Sequence, residues 1–81
     1  MNITVQLFAT IKDRVGSPQV TLDLNSPATV EDLLEQLVER FPAVAPSLHS
    51  MIISVNQEFA DRSHEITPAD EIALFPPVSG G

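Results

Sequence analysis

Apolar residues between Val30 and Phe41 fall at Val30, Leu33, Leu34, Leu37, Val38 and Phe41, the spacing that gathers one stripe on an α-helix. Glu31, Asp32, Glu35, Gln36, Glu39 and Arg40 fill the opposite side, so the helix has one face to bury. Thr29 and Asp32 have the spacing of a capping box, the acids of the first turn complement the helix dipole, and Pro42 ends the run. A lone helix of this length cannot bury its stripe against itself. The rest of the chain must supply a surface for it.

That surface is written in period-2 segments. Ile3, Val5 and Leu7 alternate with Thr4 and Gln6, and Val20, Leu22 and Leu24 alternate with Thr21 and Asp23 before Asn25-Ser26-Pro27 breaks the pattern. Met51 to Val55 reads as a largely buried strand with Asn56-Gln57 as its turn, and Glu58-Phe59-Ala60 as a brief return. A loop from Asp61 to Asp70, turned at Pro68, leads to a last strand, Glu71 to Phe75. Between the first two strands, Thr10 followed by Asp13 predicts an N-cap, Ile11 and Val15 are one turn apart, and Gly16 suits a left-handed C-terminal cap, which predicts a short helical turn. Ala43 to Ser50 forms a compact stretch after the main helix.

The order strand, strand, helix, strand, short strand, strand predicts an α+β fold, a mixed sheet of about five strands with one main helix on one face. Pairing of the first and last strands would bring the C-terminal segment to the sheet's margin. In outline this is the ubiquitin-like β-grasp arrangement. We expect one domain over residues 1–75 and an extended C-terminal tail over 76–81.

Composition limits the chemistry. The 81 residues contain no cysteine, which excludes disulfides, thiolate metal sites and cysteine nucleophiles. The net charge of −7 opposes nucleic acid and anionic membranes, and fits either simple solubility or a basic protein partner. No apolar run has the length of a membrane span and no signal pattern opens the chain, so a cytoplasmic location is expected. His49 and His64 lack metal-ligand spacing and read as surface residues; Glu58, Asp61 and Glu65 read as a solvated acidic loop. With glycine only at positions 16, 80 and 81, no phosphate-cradling loop is present.

One chemical candidate remains, the ending Pro76-Pro77-Val78-Ser79-Gly80-Gly81. Glycine has no Cβ, so a partner's channel can close around the backbone at Gly80 and Gly81. The two prolines keep the stem extended and out of helix or central strand, and the segment reaches about 20 Å. A carboxylate is a poor electrophile, so a partner must activate it, for example by adenylation from ATP, before an amine, thiol or persulfide takes the glycyl group. Phe75 and Val78 flank the Pro-Pro step; Phe75 is either a core residue or, with Val78, a partner contact, depending on the strand register.

The Ile3-to-Ala9 start, Val55-Asn56-Gln57, Asp70 to Phe75 and above all Phe75-Pro76-Pro77-Val78-Ser79-Gly80-Gly81 resemble the small subunits of molybdopterin synthase, sulfur carriers of the β-grasp family. One departure is Pro68-Ala69-Asp70, where such proteins often carry an Asp-Gly-Asp turn. The resemblance implies that no cofactor is bound permanently and that an activating enzyme uses ATP to form a glycyl adenylate at Gly81, later a thiocarboxylate, or 1-thioglycine. It further implies that the tail, Phe75 through Gly80, enters a large catalytic subunit within a heterotetramer of two small and two large subunits. There the sulfur is delivered to cyclic pyranopterin monophosphate, building the dithiolene of molybdopterin. The chain would then be the sulfur-donating part of the enzyme and not catalytic alone.

Related alternatives share the Gly-Gly chemistry: sulfur carriers for thiamin synthesis or tRNA thiolation, and ubiquitin-like modifiers. An acyl carrier protein is a rival of another class, but it needs a helical bundle and a phosphopantetheine serine in an Asp-Ser-Leu context. Here Ser47-Leu48 follows Pro46 and the chain alternates as strands. A passive interaction module would work without Gly81.

Overall fold

The computed structural model describes residues 1–77. The expected tail residues Val78, Ser79, Gly80 and Gly81 lie outside the described residues. In chain order the elements are β1 (Asn2–Leu7), α1 (Ala9–Val15), β2 (Gln19–Asp23), β3 (Ala28–Thr29), α2 (Val30–Arg40), a 3-10 segment (Pro42–Ser50), β4 (Ile52–Val55), β5 (Glu58–Phe59), β6 (Glu65–Ile66) and β7 (Ile72–Phe75).

Five strands form a mixed sheet in the order β2-β1-β7-β4-β5. β1 runs antiparallel to β2, with Thr4 opposite Thr21, and parallel to β7, with Leu7 opposite Leu74. A parallel neighbour requires a long crossover, which α2 and the segments after it provide. β4 pairs antiparallel with β7, and β5 closes the edge through Ser54 opposite Phe59. This is the β-grasp arrangement expected from the sequence, with the first and last strands side by side at its centre.

Period-2 burial sorts the sheet into two faces. Ile3, Val5, Leu7, Leu22, Ile53, Val55, Ile72 and Leu74 point inward and are buried. Val30, Leu33, Leu34 and Leu37 of α2 meet them, all four fully buried, with Ile11 of α1 and Val44 of the 3-10 segment sealing the layer. Each such side chain contributes about 1.5–3 kcal/mol relative to exposure, and no polar or charged residue is buried among the described residues.

The capping box of α2 is present: Asp32 N–H donates to Thr29 Oγ1 at 3.3 Å and Thr29 N–H to Asp32 Oδ2 at 2.9 Å. Two further donors of the first turn are satisfied from the 61–70 loop, Val30 N–H by the His64 carbonyl and Glu31 N–H by the Arg62 carbonyl, each at 2.9 Å. That loop is more ordered than the sequence suggests, because β6 pairs antiparallel with β3 as a separate two-stranded sheet. The expected cap at Thr10 is corrected. Helix α1 begins at Ala9, with Phe8 in the cap position and no side-chain cap bond, so Thr10 lies within the first turn. Gly16 does close the helix in the left-handed region, φ 88°, its N–H donating to the Lys12 carbonyl.

Candidate functional site

Because β7 is a central strand parallel to β1, the chain leaves the sheet at the end where β1 passes into α1. Residues that follow β1 therefore flank residues that follow β7. Phe8 stands one residue beyond β1 and Phe75 is the last residue of β7; their rings stack with centroids 4.6 Å apart and planes 10° apart. Such a pair contributes about 0.5–1.5 kcal/mol beyond burial. Yet Phe8 remains 43% exposed.

The register decides where Phe75 belongs. Ile72 and Leu74 are buried, while Ala73 and Phe75 alternate to the outer face and are half-buried. Phe75 is thus not a core residue. Ile52, its cross-strand neighbour, and Phe59, which lies opposite Ser54, share that face, and Phe59 is 85% exposed. The outer face is divided: on β1 and β2 polar pairs cover it, Thr4 with Thr21 and Gln6 with Gln19, each 3.1 Å apart. On β7, β4 and β5 it is largely apolar, with Ile52, Phe59, Ala73 and Phe75 around Ser54. Phe8 and Phe59 were not legible as site residues in the sequence, since only the strand pairing brings them beside Phe75.

The other end of β7 is anchored. Asn56 and Gln57 both take positive φ, 53° and 69°, the geometry of a tight hairpin turn. From that turn Asn56 Nδ2 donates to Asp70 Oδ1 at 3.0 Å, Asn56 Oδ1 accepts from Glu71 N–H at 2.9 Å, and Asn56 N–H donates to the Glu71 carbonyl at 2.8 Å. Asp70 Oδ2 also accepts from Thr67 N–H at 2.8 Å, so Pro68-Ala69-Asp70 makes its turn through the Asp70 side chain without a glycine. The Asn56 amide, then Thr67 N–H, hold the Asp70 carboxyl below its usual range. Asp61 is lowered likewise, first by the Ser63 hydroxyl at 2.6 Å and then by Ser63 N–H, which is a local turn and not a site.

His49 and His64 are exposed, as expected. Among the described residues no group of three or more His, Asp or Glu is placed to hold a metal ion, and no helix is long and apolar enough to cross a membrane. A shallow cleft between the end of β2 and α2 is lined by the carboxylates of Asp23, Asp32, Glu35 and Glu39, with no base or nucleophile of another kind among its lining residues. Pro76 is half-buried and Pro77 exposed where they continue β7. Gly80 and Gly81, with Val78 and Ser79, lie beyond the described residues.

Fold and site together define a class: a β-grasp domain whose central strand runs out beside a stacked, partly exposed aromatic pair and a largely apolar half-face. Residues 5–81 match the ThiS family, and the chain belongs to it. It is 33% identical to the molybdopterin synthase sulfur carrier subunit of Arabidopsis thaliana over 81 residues, covering 100% of this chain and 84% of that one. Among solved structures, small archaeal modifier protein 1 of Haloferax volcanii superposes with a TM-score of 0.87 at 34% identity, covering both chains fully. A protein of Helicobacter pylori, solved in a complex of subunits 1 and 2 of molybdopterin-converting factor, shares the fold with a TM-score of 0.70 at 23% identity over the full length of both chains. The resemblance drawn from the Phe75-to-Gly81 segment therefore holds.

Proposed function

We propose that this chain is the sulfur carrier of molybdenum cofactor biosynthesis, with residues 1–75 as the presenting domain and 76–81 as the reactive tail. The observation that carries the reading is that β7, central and pinned at one end by Asn56 and Asp70, leads into Pro76-Pro77 beside the Phe8–Phe75 stack. The name of the Arabidopsis relative supports the pathway.

In this reading a Gly81 carboxylate oxygen attacks the α-phosphate of ATP held by an activating enzyme, and pyrophosphate leaves. Hydrosulfide then attacks the carbonyl carbon, the C–S bond forms as the C–O bond to the phosphate breaks, AMP leaves, and the tail ends as a thiocarboxylate. Docked on a large catalytic subunit, the sulfur attacks a carbon of cyclic pyranopterin monophosphate, the C–S bond forming as a C–O bond at that carbon breaks; water then hydrolyses the resulting thioester, leaving the sulfur on the pterin and restoring the Gly81 carboxylate. Side chains at positions 80 and 81 would obstruct both pockets. Phe8, Phe59 and Phe75 serve as docking anchors on the outer face, with Val78 continuing the contact into the channel. A heterotetramer of two small and two large subunits is the assembly that fits this role.

Similarity to the Haloferax modifier favours a second reading, in which the same activated glycyl group is transferred to an amine of another protein. Intact mass spectrometry of the chain from its native host separates the two. A gain of about 16 Da, oxygen replaced by sulfur at the carboxyl, is expected of the carrier. A purely unmodified chain, or one found only in amide-linked conjugates, overturns the carrier reading.

A further inference from the structure

The five-stranded sheet ends on one side in β2, five residues long, and on the other in β5, only two. Leu7 N–H donates to the Pro18 carbonyl and Leu24 N–H to the Met1 carbonyl, so alternation along the antiparallel ladder turns the backbone of Val20 and Leu22 toward β1. Gln19, Thr21 and Asp23 turn theirs outward, and all three are exposed. An edge of this kind is a template for another strand. It also matches itself. About a two-fold axis at Thr21, Gln19 would face Asp23 of a second copy and Thr21 would face Thr21, all at hydrogen-bonding positions and with no like charges opposed. Val20 would then lie opposite Leu22 of the second copy on the inner face.

Two side chains from outside the strand occupy this edge. Arg40, the last residue of α2, donates from Nη1 to the Thr21 carbonyl at 3.0 Å, its guanidinium carbon 5.3 Å from the centroid of the Phe41 ring. Ser17 Oγ donates to the Gln19 carbonyl at 2.8 Å and accepts from Gln19 N–H at 3.5 Å. We propose that Arg40 and Ser17 guard the β2 edge against a second copy of this chain, holding the Thr21 and Gln19 carbonyls through which its β2 would add. What stays open, the N–H groups of Thr21 and Asp23, cannot complete the symmetric ladder alone. The guard rests on no reading of Gly81. Its use to the carrier does rest on the docking reading: a second sheet would begin about 14 Å from β7, three strand spacings away, and would crowd a partner seated on the outer face. Guarding the edge keeps that face clear.

The test compares the full wild-type chain with the double variant Ser17→Ala, Arg40→Ala by sedimentation equilibrium. The charge of −7 on each copy opposes association in every variant, so the measurement is repeated in about 1 M sodium chloride, where the Debye length is about 3 Å. The double variant should dimerise about tenfold or more tightly than wild type, a difference of about 1.4 kcal/mol. Hydrogen exchange at the Thr21 and Asp23 amides should slow in its dimer. Adding Thr21→Pro, which removes an outward N–H and spares the bonds to β1, should abolish the dimer. Association no tighter than wild type at either salt concentration overturns the proposal. So does a dimer that survives Thr21→Pro, or one in which both amides exchange as in the monomer. None of these results bears on the carrier reading, which stands or falls on the mass of the chain in its native host.

Discussion

Phe8 and Phe75 stack at 4.6 Å although they are 67 positions apart in the sequence, and the contact exists because β1 and β7 are parallel neighbours. Two strand ends are thereby joined at the point where the chain leaves the sheet. The pair stays partly open to solvent, Phe8 keeping 43% of its surface exposed, and on the function proposed above it serves as a docking anchor. Phe8→Ala should therefore separate stability from binding. We expect a loss of about 1 kcal/mol in denaturant unfolding, the order of a stacked aromatic pair. Affinity for the large subunit should fall about tenfold or more, as for a central aromatic anchor. Titration calorimetry with the purified large subunit checks this, and unchanged affinity removes Phe8 from the docking surface.

The link between Asn56 and Asp70 makes the start of β7 sensitive to acid. Asp70 is depressed in the folded state, mainly by the Asn56 amide, so the unfolded chain binds its proton more readily. The stabilisation is fully present above the ordinary aspartate range, about pH 3.9, and is lost as pH falls through the lower folded value. Wild type should exceed Asp70→Ala in stability near neutrality, and the gap should narrow on acidification below about pH 4. Denaturation midpoints measured across that window decide the matter; a gap independent of pH would show that the Asp70 charge does not carry the lock.

Where the fold was legible in the sequence, a period made it so. Helix α2 announced itself by its stripe, its capping box and Pro42, and β1 and β2 by alternation. β3 and β6 were not legible, because two residues define no period and their pairing spans the whole of α2. The side taken by Phe75 depended on register, which Asn56, Asp70 and Glu71 fix through contacts between loops. Phe8 and Phe59 carry no pattern of their own; they become part of a surface only when β7 lies between β1 and β4. Thr10 misled because a hydroxyl before an apolar residue has the form of a cap, whereas α1 starts one residue earlier, at Ala9.

The core and the cap of α2 should respond on different scales. Leu37 is fully buried against the sheet, and Leu37→Ala should cost about 2–5 kcal/mol, a large share of the stability of so small a domain. Thr29→Ala removes the acceptor for Asp32 N–H and should cost about 1 kcal/mol, since the His64 and Arg62 carbonyls still satisfy the neighbouring donors. Chemical denaturation of both variants checks the ranking. A Thr29 effect as large as that of Leu37 would mean that the β3–β6 sheet is lost together with the cap.

Backbone strain sits beside the Phe8–Phe75 stack, at Ala9, whose φ of 52° is in the left-handed region that a side chain disfavours by about 1–2 kcal/mol. Ala9 is exposed, so replacing it removes no buried contact. Ala9→Gly relieves the conformational cost but enlarges the freedom of the unfolded chain, and the two leave a net gain of up to about 1 kcal/mol. Ala9→Val adds a branched side chain to the same conformation and should destabilise the domain by more than about 1 kcal/mol. The functional consequence runs the other way. Phe8 is extended at φ −129°, ψ 152°, and the sharp turn at Ala9 sends the chain into α1 while Phe8 remains over Phe75. A glycine there lets Phe8 leave the stack more freely, so A9G should be the more stable protein and the weaker binder of the large subunit. Thermal unfolding and calorimetry on the one variant test both halves; equal gains in stability and affinity would show that the turn plays no part in orienting Phe8.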